Sequence, residues 1–199
     1  MKGVEMNKKT VALTEEEYRQ SINLMRDGFM LDGVSVRPNN RIATLEVIQA
    51  SLGLRLGDVL RLKMSSFIRD GERWRLDFTE EKTGKKREFT VPNQVYHYIQ
   101  EYAYKNGISE DSKLFDLSER QVERHLNKVF MKMGKDLRHY GSHSYRKYFG
   151  TKCYLENEND IVLVQELLQH SSPSTTRRYI TISRHRVEQA LEKTVGSLI

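Results

Sequence analysis

Apolar residues at Tyr18, Ile22 and Met25 recur three and four positions apart, the spacing of one helical face. Thr14-Glu15-Glu16-Glu17 stands before them as a capping box, in which the threonine hydroxyl and the glutamate three residues on satisfy each other's orphan backbone amides. A second helix is expected from Asn39 or Asn40, carrying Ile42, Leu45, Val47, Ile48 and Leu52, with Gly53 in the left-handed position that ends it. Leu56 to Leu62 predicts a short third helix with Leu60 and Leu62 facing inward.

The period then changes. Phe67 to Arg69, Trp74 to Phe78 and Arg87 to Val91 alternate apolar and polar residues, as half-buried strands do. Asp70-Gly71 and Thr83-Gly84 between them read as turns, which predicts a three-stranded antiparallel meander. The segment from Glu80 to Arg87 is polar throughout and is expected to project from the body. Helices resume after Pro92, a residue suited to a first helical position. One runs to about Lys105, and another follows the Ser118/Gln121 capping box as far as Gly134. Further helices are expected from Ser142, from Asn159, from near Pro173, and from Arg184 to Thr194. No internal repeat or linker-like stretch appears. The fold class is α+β, mainly α-helical, a single domain with a small three-stranded antiparallel sheet.

Composition narrows the function classes. With 199 residues, 38% of them hydrophobic, the chain can bury one sizeable core. Its longest aliphatic run, Ile161 to Val164, is far short of the ~18 residues of a membrane span. The opening MKGVEMNKKT has no apolar signal-peptide core, so a cytoplasmic protein is expected. A lone cysteine, Cys153, makes neither an intrachain disulfide nor a Cys-rich metal site. Thirty-three Lys and Arg against 27 Asp and Glu give a net charge of +6, which draws a protein toward polyanions. The charge is clustered, at Lys82, Lys85, Lys86 and Arg87 in one short turn and at Arg177, Arg178, Arg184 and Arg186 near the C-terminus. Nucleic acid is the partner this distribution suggests.

Taken singly, the polar candidates have ordinary readings. Arg55 can be a helix-end arginine holding Asp58, and Lys82 a solvated turn lysine. His143 and Arg146 can be neighbours on a helix face, and His170 can complement a helix dipole. Tyr179 can be a half-buried core residue. In series they read differently: GLRLGDVLRL (Gly53–Leu62), EKTGKKREFTVP (Glu81–Pro92), HSYR (His143–Arg146) and LLQHSSPSTTRRY (Leu167–Tyr179). In this order they resemble the catalytic domain of the tyrosine recombinase, or phage integrase, family, from LTEEEYRQ (Leu13–Gln20) to the tail after Tyr179.

The resemblance implies an integrase-like DNA breaking-rejoining fold over residues 13–199, preceded by an extension or linker remnant at 1–12. It implies that Arg55 is the first catalytic arginine and Lys82 the β-hairpin lysine. His143 and Arg146 match the H-x-x-R pair, His170 the later His/Trp position and Tyr179 the nucleophile. Asp58 stands where the family has an acidic residue orienting the arginine. It also implies a double-stranded DNA substrate, a homo-oligomer that is a tetramer on DNA and a monomer or weak oligomer without it, a bacterial or phage origin and a core-binding domain ahead of the catalytic one. In relatives the C-terminal tail packs on a neighbouring protomer; here Val187, Ala190, Leu191 and Val195 give it an apolar face suited to a neighbouring protomer or to the chain's own body. Two positions depart from the family pattern: Lys147 stands where His is common, and Tyr145 where an aliphatic residue is.

The chemistry requires such a set on its own terms. A tyrosine attacking a phosphodiester builds negative charge on the nonbridging oxygens, and two permanently charged guanidiniums hold those oxygens bidentately. A phenol titrates near pH ~10, so a cationic pocket and a base must help deprotonate Tyr179. The leaving 5′-oxygen needs a proton, for which Lys82 is the candidate donor. No metal, ATP or other cofactor is required. No metal-binding histidine pattern occurs, and Glu156, Glu158 and Asp160 read as a solvated loop with a helix-start carboxylate. Lys85, Lys86, Arg87, Arg120, Arg124, Arg177 and Arg178 are candidate DNA contacts. The rival readings are a non-catalytic DNA-binding protein of the same fold, and a type IB topoisomerase-like activity that relaxes DNA with the same pocket.

Overall fold

The Thr14 capping box opens the first helix in a computed structural model that describes residues 10–81, 84, 86–170 and 173–179. The Thr14 hydroxyl accepts the Glu17 amide at 3.1 Å, and the Glu17 carboxylate accepts the Thr14 amide at 2.8 Å. Helix α1 (Glu15–Asp27) follows and buries Ile22 and Met25. It leads into a hairpin that the sequence periodicity did not predict, β1 (Phe29–Leu31) and β2 (Val34–Val36), paired antiparallel with Met30 opposite Ser35. Asp32 and Gly33 take φ of 49° and 78°, the left-handed pair of a two-residue turn.

Helix α2 (Asn40–Leu52) begins where the Asn39 side chain accepts the Ile42 amide at 3.1 Å and ends on Gly53 at φ 59°, ψ 30°. Its buried residues include Ile42, Ala43, Leu45, Glu46, Ile48, Gln49 and Leu52, so it is enclosed on most sides. The short helix α3 (Leu56–Arg61) then leads to the sheet. Strands β3 (Phe67–Asp70), β4 (Arg73–Thr79) and β5 (Lys86–Val91) form the expected antiparallel meander in the order β3-β4-β5. The register sets Phe67 against Leu76 and Leu76 against Phe89, which places these apolar side chains on one face.

Helix α4 (Asn93–Lys105) has Pro92 as its cap, one residue before the first-turn position expected from sequence. Tyr96 of this helix stacks on Trp74 of β4, ring centroids 3.5 Å apart. Helix α5 (Glu119–Lys132) has the reciprocal Ser118/Gln121 cap. The remaining helices are α6 (Ser142–Glu156), α7 (Ile161–Leu168) and α8 (Pro173–Tyr179). Asp160, not Asn159, caps α7: Asn159 is left-handed at φ 63°, and the Asp160 carboxylate accepts the Val162 and Leu163 amides at 2.8 and 3.0 Å. The helix expected from Arg184 lies outside the described residues.

The chain divides into two compact units, Met1–Phe149 and Gly150–Ile199. The first holds one hydrophobic cluster extending from Leu13 to Tyr148. In the second, Val164 and Leu168 are fully buried, and a Cβ on Gly150 would meet Leu168 at 3.0 Å. Cys153 is half-buried, and burial pushes its thiol up to about 11. Among the described residues no helix is long and apolar enough to cross a membrane.

Candidate active site

In the first unit the site is built on the turn between α2 and α3. Gly53 ends α2, and Arg55 takes the extended cap position of α3. The Arg55 Nη1 donates to the carboxylate of Glu80, a fully buried residue, and lies 3.9 Å from Asp58. The sequence suggested Asp58 as the orienting carboxylate and the Glu80–Arg87 segment as a projecting polar loop. Asp58 stays within ion-pair reach of Arg55, but Glu80 makes the closer contact: its longer side chain reaches the guanidinium, while Asp58 also accepts the backbone amide of Glu81 at 3.1 Å, and Glu80, at the start of that segment, is buried. Arg61 adds a bond to the Thr79 carbonyl at 3.3 Å. Three contacts therefore fasten the root of the β4–β5 hairpin to α3. The sequence signal for Glu80 was slight, an acidic pair, Glu80-Glu81, among the cations of the hairpin.

Asp58 has a raised carboxyl pKa. Burial is the main cause and the charge of Glu80 adds to it, against the opposing effects of the Glu81 amide, Arg55 and Arg146.

Arg146 arrives from α6. It is fully buried, and its Nη1 donates to the carbonyl of Gly53, two residues before Arg55. The first turn of α6 is held from two sides. The Ser142 hydroxyl donates to Gln49 at 2.7 Å, and the Ser142 amide donates to Glu123 of α5 at 3.3 Å. His143 is half-buried beside it. The two departures from the family pattern serve packing: Lys147 donates to the Thr10 carbonyl at 2.5 Å, and Tyr145 is fully buried. Burial, with the charge of Glu46, keeps the Tyr145 hydroxyl well above its usual range.

In the second unit His170 is buried directly after α7. Its Nδ1 shares a hydrogen bond with the Thr176 hydroxyl of α8 at 3.1 Å, and its amide donates to the Gln165 carbonyl at 3.0 Å. Tyr179 is the last residue of α8.

Lys82 and Lys85 lie outside the described residues, as do the side chains of Arg87, Arg178 and Tyr179. Lys86 pairs with Asp77 on the sheet at 3.5 Å. Arg120, Arg124 and Arg177 are exposed. Among the described residues no group of three His, Cys, Asp or Glu side chains could hold a metal ion.

The phage integrase family model matches residues 12–186. The chain belongs to this family. It is 32% identical over 167 residues to the probable integrase/recombinase YoeC of Bacillus subtilis, an alignment covering 80% of this chain and 87% of that one. Over 187 residues it is 29% identical to the tyrosine recombinase XerC of Escherichia coli O157:H7, covering 89% of this chain and 59% of XerC. Against XerH of Campylobacter jejuni it is 25% identical over 162 residues, 45% of that protein's length. The chain thus spans about half the length of these two Xer relatives. Among solved structures, a XerH recombinase bound to a palindromic difH substrate superposes with a TM-score of 0.73 at 22% identity, covering 96% of this chain and 55% of that one. The catalytic domain of bacteriophage HP1 integrase gives 0.59 at 17% identity, covering 92% and 94%. These likenesses bear out the expected integrase-type α+β catalytic fold.

Proposed function

We propose that this integrase-family chain is a site-specific DNA recombinase that cleaves and rejoins DNA through a covalent 3′-phosphotyrosine, in integration or excision of a mobile element. One observation carries the reading: Arg55 and the buried Arg146 are tied to a single backbone turn, Arg55 within it and Arg146 bonded to its Gly53 carbonyl. Two guanidiniums presented from one turn can each offer N–H donors to a nonbridging oxygen of a phosphate.

The Tyr179 oxygen forms a bond to phosphorus as the bond from phosphorus to the 5′-oxygen breaks. The phenolic proton passes to His143 acting as base, and the departing 5′-oxygen takes a proton from Lys82. Arg55 and Arg146 hold the charge that builds on the phosphorane, and they need no reorganisation to do so. In the tautomer whose Nδ1 accepts from the Thr176 hydroxyl, His170 carries its proton on Nε2, the form that donates to the phosphate. The phosphotyrosine conserves the energy of the broken bond, so religation uses neither ATP nor metal. Exchange between two duplexes brings two or more copies together on DNA.

The test is incubation in EDTA with a pool of nicked duplexes of randomised sequence, alongside Tyr179→Phe. A denaturation-resistant protein–DNA adduct is expected from the native chain and none from the variant. An adduct that persists in Tyr179→Phe would remove the proposed nucleophile. DNA binding with no adduct from any sequence in the pool would favour the non-catalytic reading.

A further inference from the structure

Gln49 lies in the last turn of α2, fully buried, with its side-chain amide used at both ends. Its Nε2 donates to the carbonyl of Leu54 at 3.2 Å, one residue before Arg55. Its Oε1 accepts from the Ser142 hydroxyl at 2.7 Å, one residue before His143 and on the helix of Arg146. The backbone closes the circuit: the Gln49 carbonyl accepts the Gly53 amide at 2.9 Å, and the Gly53 carbonyl accepts from Arg146. One side chain thus joins the segment that presents Arg55 to the segment that presents Arg146, residues 91 positions apart in the chain (146 minus 55).

An apolar residue of the same length would fill this space without burying a polar group. A buried amide is unfavourable unless both its ends are bonded, and when both are, it selects one arrangement of the groups it joins. Here it fixes a spacing, because its donor and acceptor are held rigidly on one planar group. We propose that Gln49 is a positioning residue that sets the separation of Arg55 and Arg146 to the width of one phosphate. The inference rests on the reading of these arginines as the phosphate grip. Gln49 itself touches no substrate; it acts through Leu54 and Ser142.

The test compares the native chain with Gln49→Met, which keeps length and removes the amide, and with Ser142→Ala, which cuts the α6 side of the bridge alone. The probe is a nicked duplex recovered as an adduct from the randomised pool, with either a normal scissile phosphate or a neutral methylphosphonate in its place. A misplaced arginine is expected to slow single-turnover adduct formation on the phosphodiester about 10²-fold. Duplex affinity and cooperative thermal unfolding should stay close to native. The methylphosphonate lacks the charge the arginines hold, so the defect should shrink on it. The double variant should be little slower than either single one, since both break the same bridge. Native-like rates in both single variants, or an equal loss on both phosphates, would overturn the inference while leaving the recombinase reading intact. Failure of the native chain itself to form any adduct would instead overturn that reading, and this inference with it.

Discussion

Glu46 shows how a single residue can set a pH dependence. It is fully buried on α2, and neither carboxyl oxygen has a hydrogen-bond partner. Burial pushes its pKa well above the carboxylate range, and the negative charge of Glu123 on α5 adds to the shift. Tyr145 of α6 and Tyr18 of α1 also feel its charge. The folded chain therefore keeps Glu46 protonated where the unfolded chain, titrating near ~4.3, has already ionised. Its contribution to stability is full below that unfolded value and is lost as pH rises through the raised folded one. Glu46→Gln removes this titration. The melting temperature of the variant relative to the native chain should climb as pH goes from acid to neutral, as thermal unfolding across that range will show. A difference independent of pH would mean that the Glu46 carboxyl titrates alike in the folded and unfolded chains.

At the scale of elements, the two capping boxes and the alternation of β3 to β5 were legible because each is a local pattern, complete within a few residues. The β1–β2 hairpin was not, because three-residue strands are too short to establish a period. Its own signal was the Asp32-Gly33 pair. Two glycines of this region separate conformation from contact. Gly33, at φ 78°, has nothing within 4 Å of a built Cβ, so Gly33→Ala should lose about 1 to 2 kcal/mol for the left-handed backbone alone. Gly28, at φ 75°, would place a Cβ 2.7 Å from the Val36 carbonyl oxygen and 2.9 Å from Pro38. Gly28→Ala should therefore be the more destabilising, and denaturant midpoints will rank the two. Equal midpoints would show that β2 yields to the added methyl.

For the molecule as a whole, the excess of six positive charges is spread over surfaces whose roles differ. Lys86 is engaged with Asp77 on the sheet, whereas Arg120 and Arg124 stand exposed on α5. Each cation that meets a phosphate releases condensed counterions and steepens the salt dependence of binding by about 0.9 in the log–log slope. Replacing Arg120 and Arg124 together by alanine should weaken duplex binding and make that slope shallower by roughly 2, measured by titration at several salt concentrations. An unchanged slope would take α5 out of the DNA footprint.

The sequence by itself determined the helices and the three-stranded meander, the Thr14 and Ser118 caps and the residue types available for phosphate chemistry, since these depend on neighbours a few positions apart. The order of Arg55, His143, Arg146, His170 and Tyr179 was also plain from it. Only the tertiary structure decided that Glu80, not Asp58, makes the close pair with Arg55, and that Gln49 meets Ser142. Those partners are 25 and 93 residues apart, and buried carboxylates and amides carry no local pattern to announce what they will face. Which polar groups leave water together is settled by how α2, α3, α6 and the hairpin root pack, and the spacing of the two arginines follows from that packing.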